Sequence, residues 1–299
     1  MNVLTLDLGG TAIKHALFHE DGRLIARGET ASDGRLSADA LLMRAHEVIG
    51  GYEGFHAIGV STTGQVDART GEIVFANENV PGYTGVKLRA LLEARYGVPV
   101  AVENDVNAAA LGEGELGAAK GVPDYLCLTY GTGVGGAIVI DGRLYGGSRG
   151  VAGEVGHMIA HPGGRPCACG QSGCYEQYAS VTALVRAARA VDRRATDGRT
   201  LFELAEDSAL LRAVVDDWLG EVALGLATLT HILNPGLIVL GGGVFSRAHL
   251  TARLASLLSP RLMASYRGVR LERAQLGNAA ALYGALSLAR KLLHANPKS

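Results

Sequence analysis

The sequence predicts an α/β protein made of two similar domains. Residues 3–28 read as strand, Gly/Thr turn, strand, turn, strand, and residues 125–145 run through the same order again, an internal duplication. Segments of helical periodicity alternate with short buried strands through the rest of the chain, as layered α/β folds require. With 299 residues, 48% of them hydrophobic, the chain can bury one large core or two domains of ordinary size. The stretch Lys120-Gly121-Val122-Pro123 reads as a linker. It sets the domains at 1–119 and 120–279, with a C-terminal helix of about 280–299 packing back on the first, since short linkers do not hold two lobes alone.

Residues 3–8 form a buried strand that runs into Asp7-Leu8-Gly9-Gly10-Thr11, and strands 12–18 and 23–28 follow around a turn at Glu20-Asp21-Gly22. A strand–Gly-Gly-Thr–strand hairpin offers backbone N–H groups and a hydroxyl to a phosphate with no Cβ in the way. Asp7, at the strand end, is placed to hold Mg²⁺ through water. The stretch has neither the Lys-Ser/Thr ending of a Walker loop nor Gly-x-Gly-x-x-Gly spacing. A helix over 37–49 and a strand over 55–61 lead to Thr62-Thr63-Gly64-Gln65, then a turn at Arg69-Thr70-Gly71 and residues 72–76. In the amide-rich loop Asn77 to Tyr83, Asn79 is the candidate for gripping hydroxyls; satisfying its own loop backbone is the alternative. Helix 88–96 and strand 98–102 precede Glu103-Asn104-Asp105-Val106-Asn107, which opens an alanine-rich helix over 108–118. A carboxylate between a strand's end and a helix's start sits where α/β sheets place their sites, although it is also an ordinary N-cap.

In the second half, strand 125–130 meets Gly131-Thr132-Gly133-Val134-Gly135-Gly136, and strands 137–140 and 143–145 follow around Asp141-Gly142. Two such hairpins facing each other would clamp a triphosphate. Helices over 181–191, 200–205 and 210–233 lead to strand 237–240 and Gly241-Gly242-Gly243-Val244, where a planar base or ribose can lie against bare backbone. Helix 249–258, strand 269–273 and helix 278–293 complete the order.

Between residues 157 and 176 lies a different kind of segment. Three of the four cysteines, Cys167, Cys169 and Cys174, fall within eight residues, and His157 stands ten positions before the first. Three thiolates and an imidazole suit a closed tetrahedral Zn²⁺ site, and Gly170 and Gly173 let the chain double back to bring Cys174 to the metal. Unpaired thiols or one disulfide are the alternatives, and His161 is a rival fourth ligand. Four protein ligands leave no open position, so such an ion would order its surroundings and not act as a zinc hydrolase. Glu154 and Glu176 flank the knuckle, where a stiff metal loop could hold them in place.

The formal net charge of −1 and the lack of a basic stripe argue against a nucleic-acid partner. No run of 18 apolar residues suggests a membrane span, no leader pattern opens the chain, and the few cysteines fit a reducing cytoplasm.

As an ordered set these motifs resemble the ROK family of sugar kinases, closest to its zinc-containing glucokinase and N-acetylmannosamine kinase members. The resemblance covers nearly the whole chain: Asp7 to Thr11, Glu103 to Asp105, Gly131 to Gly136, Gly153 to His157, Cys167 to Glu176 and Leu240 to Gly243. It implies two actin/hexokinase-like (ribonuclease H-like) α/β domains flanking a cleft, and the cofactors ATP, Mg²⁺ and structural Zn²⁺. Asp105 would be the general base. Gly64, Asn79, Asn104, Glu154, His157 and Glu176 would contact the sugar with it, His157 through the ring nitrogen not on zinc. Asp7, Gly9, Gly10, Thr11 and Lys14, with Gly131, Thr132 and Gly133, would serve the phosphates, and Gly241, Gly242 and Gly243 the adenosine. Glucose at O6 is the leading acceptor, ahead of an N-acetylhexosamine, a β-glucoside or fructose. Thr62, Thr63 and Gln65 depart from the family's usual small-residue and proline pattern around Gly64, which bears on the sugar and not on the fold. The resemblance also implies a homodimer or tetramer. A sugar-sensing regulator is the reading from another class; the six residues before Asp7 leave no room there for a DNA-binding helix-turn-helix.

Overall fold

Apolar residues crowd the first eight positions and make β1 (Asn2–Leu8), the central strand of a five-stranded sheet. In the computed structural model, which describes residues 1–295, the chain continues through β2 (Ala12–His19), β3 (Leu24–Ala31), α1 (Ala38–Gly50), β4 (Ala57–Thr62), β5 (Gln65–Asp67) and β6 (Glu72–Phe75). Helix α2 (Leu88–Tyr96), β7 (Val100–Asn104) and α3 (Asp105–Leu116) follow. The sheet order is β3-β2-β1-β4-β7: β1 pairs antiparallel with β2 and parallel with β4, which pairs parallel with β7. Helix α1 starts at the Ser37 cap, whose hydroxyl accepts from Ala40 N–H, and packs Leu41, Ala45 and Ile49 under the sheet.

The second sheet repeats this plan. Its strands are β8 (Tyr125–Tyr130), β9 (Val134–Ile140), β10 (Arg143–Leu144), β11 (Leu237–Gly241) and β12 (Arg270–Arg273), in the order β10-β9-β8-β11-β12. Again the first strand is central, antiparallel to the second and parallel to the fourth. Helices α4 (Glu176–Ala179), α5 (Val181–Val191), α6 (Gly198–Ala205), α7 (Ala209–Leu233) and α8 (Ala248–Leu258) cover it, and α9 (Ala280–Ala295) closes the chain. Trp218, Leu219, Val222 and Leu226 of α7 form the middle of this core with Leu128, Tyr130 and Phe245.

The chain clusters into two units. One holds Met1–Gly121, Leu144–Ala152 and the chain from Gln275 on; the other holds Val122–Arg143 and Gly153–Ala274. Residues 144–152 and 275–279, counted with the second domain on sequence, thus group with the first. Gly150 lies close to Asp67, and Gln275 and Leu276 N–H bond the buried Glu113 carboxylate at 3.1 and 2.8 Å. Within this first unit α9 buries Leu282, Leu286 and Ala289 against Val3, Ala16 and Phe18. No helix among the described residues is long and apolar enough to cross a membrane.

Candidate active site

In the first unit, strand register sets Lys14 on β2, Asp7 on β1, Ser61 on β4 and Glu103 on β7 abreast. Ser61 Oγ donates to Asp7 Oδ1 at 2.8 Å, and Lys14 Nζ lies 3.6 Å from Oδ2. Burial pushes the Asp7 carboxyl up, while the Ser61 hydroxyl and Lys14 hold it back. Asp105 is the first residue of α3, and the Asn104 side chain caps that helix by accepting from Val106 and Asn107 N–H at 2.9 and 3.2 Å. The Asn104 amide donates to Gly64 O and to Asp105 Oδ1, at 2.9 and 3.0 Å, and Val106 N–H reaches the same Oδ1 at 2.8 Å. Asp105 is therefore gripped through one oxygen. Burial first, and the nearby negative Asp7 second, push its pKa up to about 6.

Asn104 is thus committed to capping and to orienting Asp105. Gly64 turns the chain from β4 into β5 at φ +92°, where a Cβ would meet Phe75 O at 2.8 Å. Asn79 is exposed, and its N–H bonds Asn77 Oδ1 at 3.0 Å. Gly9, Gly10 and Thr11 form the β1–β2 turn, closed by Gly9 N–H on Ala12 O at 3.0 Å.

In the second unit, Gly131, Thr132 and Gly133 form the β8–β9 turn, and Gly131 N–H bonds Gly133 O at 3.0 Å. Gly131, Thr132 and Gly243 line one cavity of about 930 Å³ between α5, α6 and the short 3₁₀ turn Gly243–Ser246. Its other walls include Val185, Phe202 and the cations Arg186, Arg189, Arg199 and Arg247, with the Arg247 guanidinium 4.2 Å over the Phe202 ring. Gly241 is instead the buried end of β11, and Gly242, at φ +94°, lies against the Tyr130 carbonyl with no room for a side chain.

The knuckle brings one atom each from His157, Cys167, Cys169 and Cys174 within 4.8 Å of one another. Tetrahedral bonds of about 2.3 Å to sulfur put ligand atoms about 3.7 Å apart. Cys169 and Cys174 Sγ are separated by 3.5 Å, and Cys167 Sγ and His157 Nδ1 by 3.7 Å, so the donor set fits a Zn²⁺ ion. The other ring nitrogen, His157 Nε2, is 3.9 Å from Glu154 Oε2. His161 points elsewhere, with Nε2 on Glu221 Oε2 at 2.7 Å and its ring against Tyr178. Glu176 begins α4 with Oε1 3.1 Å from Cys167 Sγ.

The sequence profile of the ROK family matches residues 3–292. The chain belongs to the ROK family. A glucokinase of Streptomyces coelicolor is 34% identical over an alignment of 312 positions that covers 96% of both chains. An N-acetyl-D-glucosamine kinase of Shigella flexneri is 32% identical, covering 94% of this chain and 97% of its own. The crystal structure of a ROK family glucokinase from Streptomyces griseus, in complex with glucose and AMPPNP, superposes with a TM-score of 0.85 at 31% identity, covering 97% of this chain and 100% of that one. The two-sheet α/β architecture is accordingly the actin/hexokinase-like fold of ROK proteins.

Several side chains packed around these candidate residues are not evident from the sequence. Ser61 sits inside an apolar strand, and only the pairing of β1 with β4 brings it to Asp7. Arg186, Phe202 and Arg247 come from three separate elements, and only packing joins them. A weak signal existed: Val181, Val185 and Arg189 recur at four-residue spacing on one face of α5.

Proposed function

We propose that this ROK-family chain is an ATP-dependent sugar kinase that transfers the γ-phosphoryl group to a hexose hydroxyl, with glucose at O6 the leading acceptor. The observation that carries the reading is Asp105, a desolvated carboxylate held through one oxygen, with a pKa of about 6. At neutral pH it is ionised, yet it is more basic than a surface aspartate. That suits a general base facing an alcohol, a contribution of order 10²–10⁴-fold.

The remaining roles follow the family resemblance. Gly9, Gly10 and Thr11, with Lys14, and the turn Gly131 to Gly133 would hold phosphates, and Gly241 to Gly243 the nucleoside end, beside the arginine-walled cavity. Mg²⁺, when bound with ATP, would neutralise phosphate charge, and Asp7 is the candidate to hold it through water. Gly64, Asn79, Glu154, His157 and Glu176 would contact the sugar. Asn104 would serve it by fixing Asp105. His157, Cys167, Cys169 and Cys174 would hold Zn²⁺ with no open position, so the ion orders the sugar-binding residues. A homodimer completes the reading, and light scattering in solution checks it.

ADP release with ATP and Mg²⁺ across glucose, mannose, fructose, N-acetylglucosamine, N-acetylmannosamine and a β-glucoside tests the proposal. Turnover on glucose above the others is expected. Preference for an N-acetylhexosamine, the substrate in the name of the Shigella relative, would replace glucose but keep the kinase. Tight binding of a sugar with no turnover of any would remove the kinase reading in favour of a sensor.

A further inference from the structure

The knuckle flanks and the β8–β9 turn are packed together at four points within the second unit. Glu176 spans the first: while Oε1 faces Cys167 Sγ, Oε2 covers Gly133, where a Cβ would come within 2.6 Å of it. Second, Gly156, next to the ligand His157, lies so close to the Val134 carbonyl that a methyl there would overlap it, and the same methyl would touch Glu176 Cβ at 3.5 Å. Third, the fully buried hydroxyls of Tyr130 and Tyr175, the residues before Gly131 and before Glu176, lie 3.1 Å apart, and Tyr175 also donates to Val222 O at 2.9 Å. Fourth, Val181 N–H, at the start of α5, bonds Gly131 O at 2.9 Å.

We infer that the metal knuckle positions the Gly131–Gly133 turn as well as the sugar ligands, with Glu176 as the positioning residue that transmits it. The inference rests on the reading of that turn as a phosphate site. A bare glycine turn has wide conformational freedom, and its N–H groups hold a phosphate well only when they are fixed in advance. A carboxylate and a neighbouring backbone seated on Gly133 and Val134 supply that fixing. Both are tied by chain connectivity to metal ligands: Glu176 is two residues after Cys174, and Gly156 one before His157. The ion thus serves the donor side of the reaction without touching the donor.

The test uses two readouts taken without sugar: affinity for a non-hydrolysable ATP analogue, and backbone amide exchange over residues 131–134 compared with β11. In zinc-loaded protein treated with a chelator, exchange over 131–134 should accelerate while β11 stays protected, and analogue affinity should fall roughly tenfold. Zinc-loaded Glu176→Ala should reproduce both effects with the knuckle intact. Glu176→Gln, which keeps the shape over Gly133, should restore wild-type exchange and analogue affinity even if sugar affinity stays low. Should chelation also open β11, the zinc-loaded Glu176→Ala protein decides alone. Unchanged exchange over 131–134 in that variant overturns the inference, and so does a fall in sugar affinity with analogue affinity untouched. If wild-type protein bound no analogue at all, the kinase reading would fail, while the exchange readout would still judge the coupling.

Discussion

Asp105 gathers three influences on one carboxylate: burial, the negative Asp7 nearby, and hydrogen bonds from Asn104 and Val106 that oppose both. Their balance, a pKa of about 6, fixes the direction of two measurements. A base works only when ionised, so kcat/KM should be level above about pH 7 and fall about tenfold per unit below the pKa. A profile flat down to pH 5 would count against Asp105. Stability should run the opposite way. Folding raises this pKa, so the group's contribution is present in full below its unfolded value and is lost as pH rises through about 6. Asp105→Asn cannot ionise. It should resist heat better than wild type at pH 8, by up to about 3 kcal/mol, and lose that advantage near pH 4. Equal melting temperatures at pH 8 would mean that the site carries no such strain. The sequence showed the Glu-Asn-Asp stretch but not this balance, because Asp7 is 98 positions away and meets Asp105 only through the sheet.

Among the elements, α9 shows how glycine sets packing. A methyl at Gly284 would run into the Ala108 carbonyl of α3, and one at Gly112 of α3 into the Ala280 carbonyl. The two helices meet backbone to backbone. Gly284→Ala should therefore cost about 1–3 kcal/mol and lower the urea midpoint, where a helix-propensity argument alone predicts a gain. A raised midpoint would show that α3 and α9 can separate at little cost. Element boundaries were legible where a glycine closes an apolar run or a helical period, as Gly131 does for β8 and Gly97 for α2, and less so where glycines fill a strand. Strand β9 starts at Val134, before the Ala137 expected from the glycine run, because Gly135 and Gly136 pair with Thr129 and Leu128. At Gly136 a side chain would strike the Gly153 carbonyl and the Val155 side chain. Helix α3 likewise starts at Asp105 and not at Ala108, since the polar residues ahead of the alanines are its cap and first turn. Thr62, one of the departures from the family pattern, is buried with its hydroxyl 2.8 Å from that of Tyr83, so it braces the loop after β6 and does not face solvent.

For the molecule as a whole, the duplicated strand order was legible because it is written locally, as two runs of strand, glycine turn and strand. The grouping of residues 144–152 with the first unit was not, since it depends on contacts made far away in sequence. The same holds for the arginine-walled cavity, whose cations are scattered from Arg186 to Arg247. What ties the scales together is a kinase reading in which Asp105 takes the proton of the attacking hydroxyl. Single-turnover phosphoryl transfer by Asp105→Asn, measured beside its affinities for sugar and ATP, tests that most directly. The account predicts affinities within a few-fold of wild type and a transfer rate lower by about 10²–10⁴-fold. Transfer at the wild-type rate with both substrates bound would contradict it.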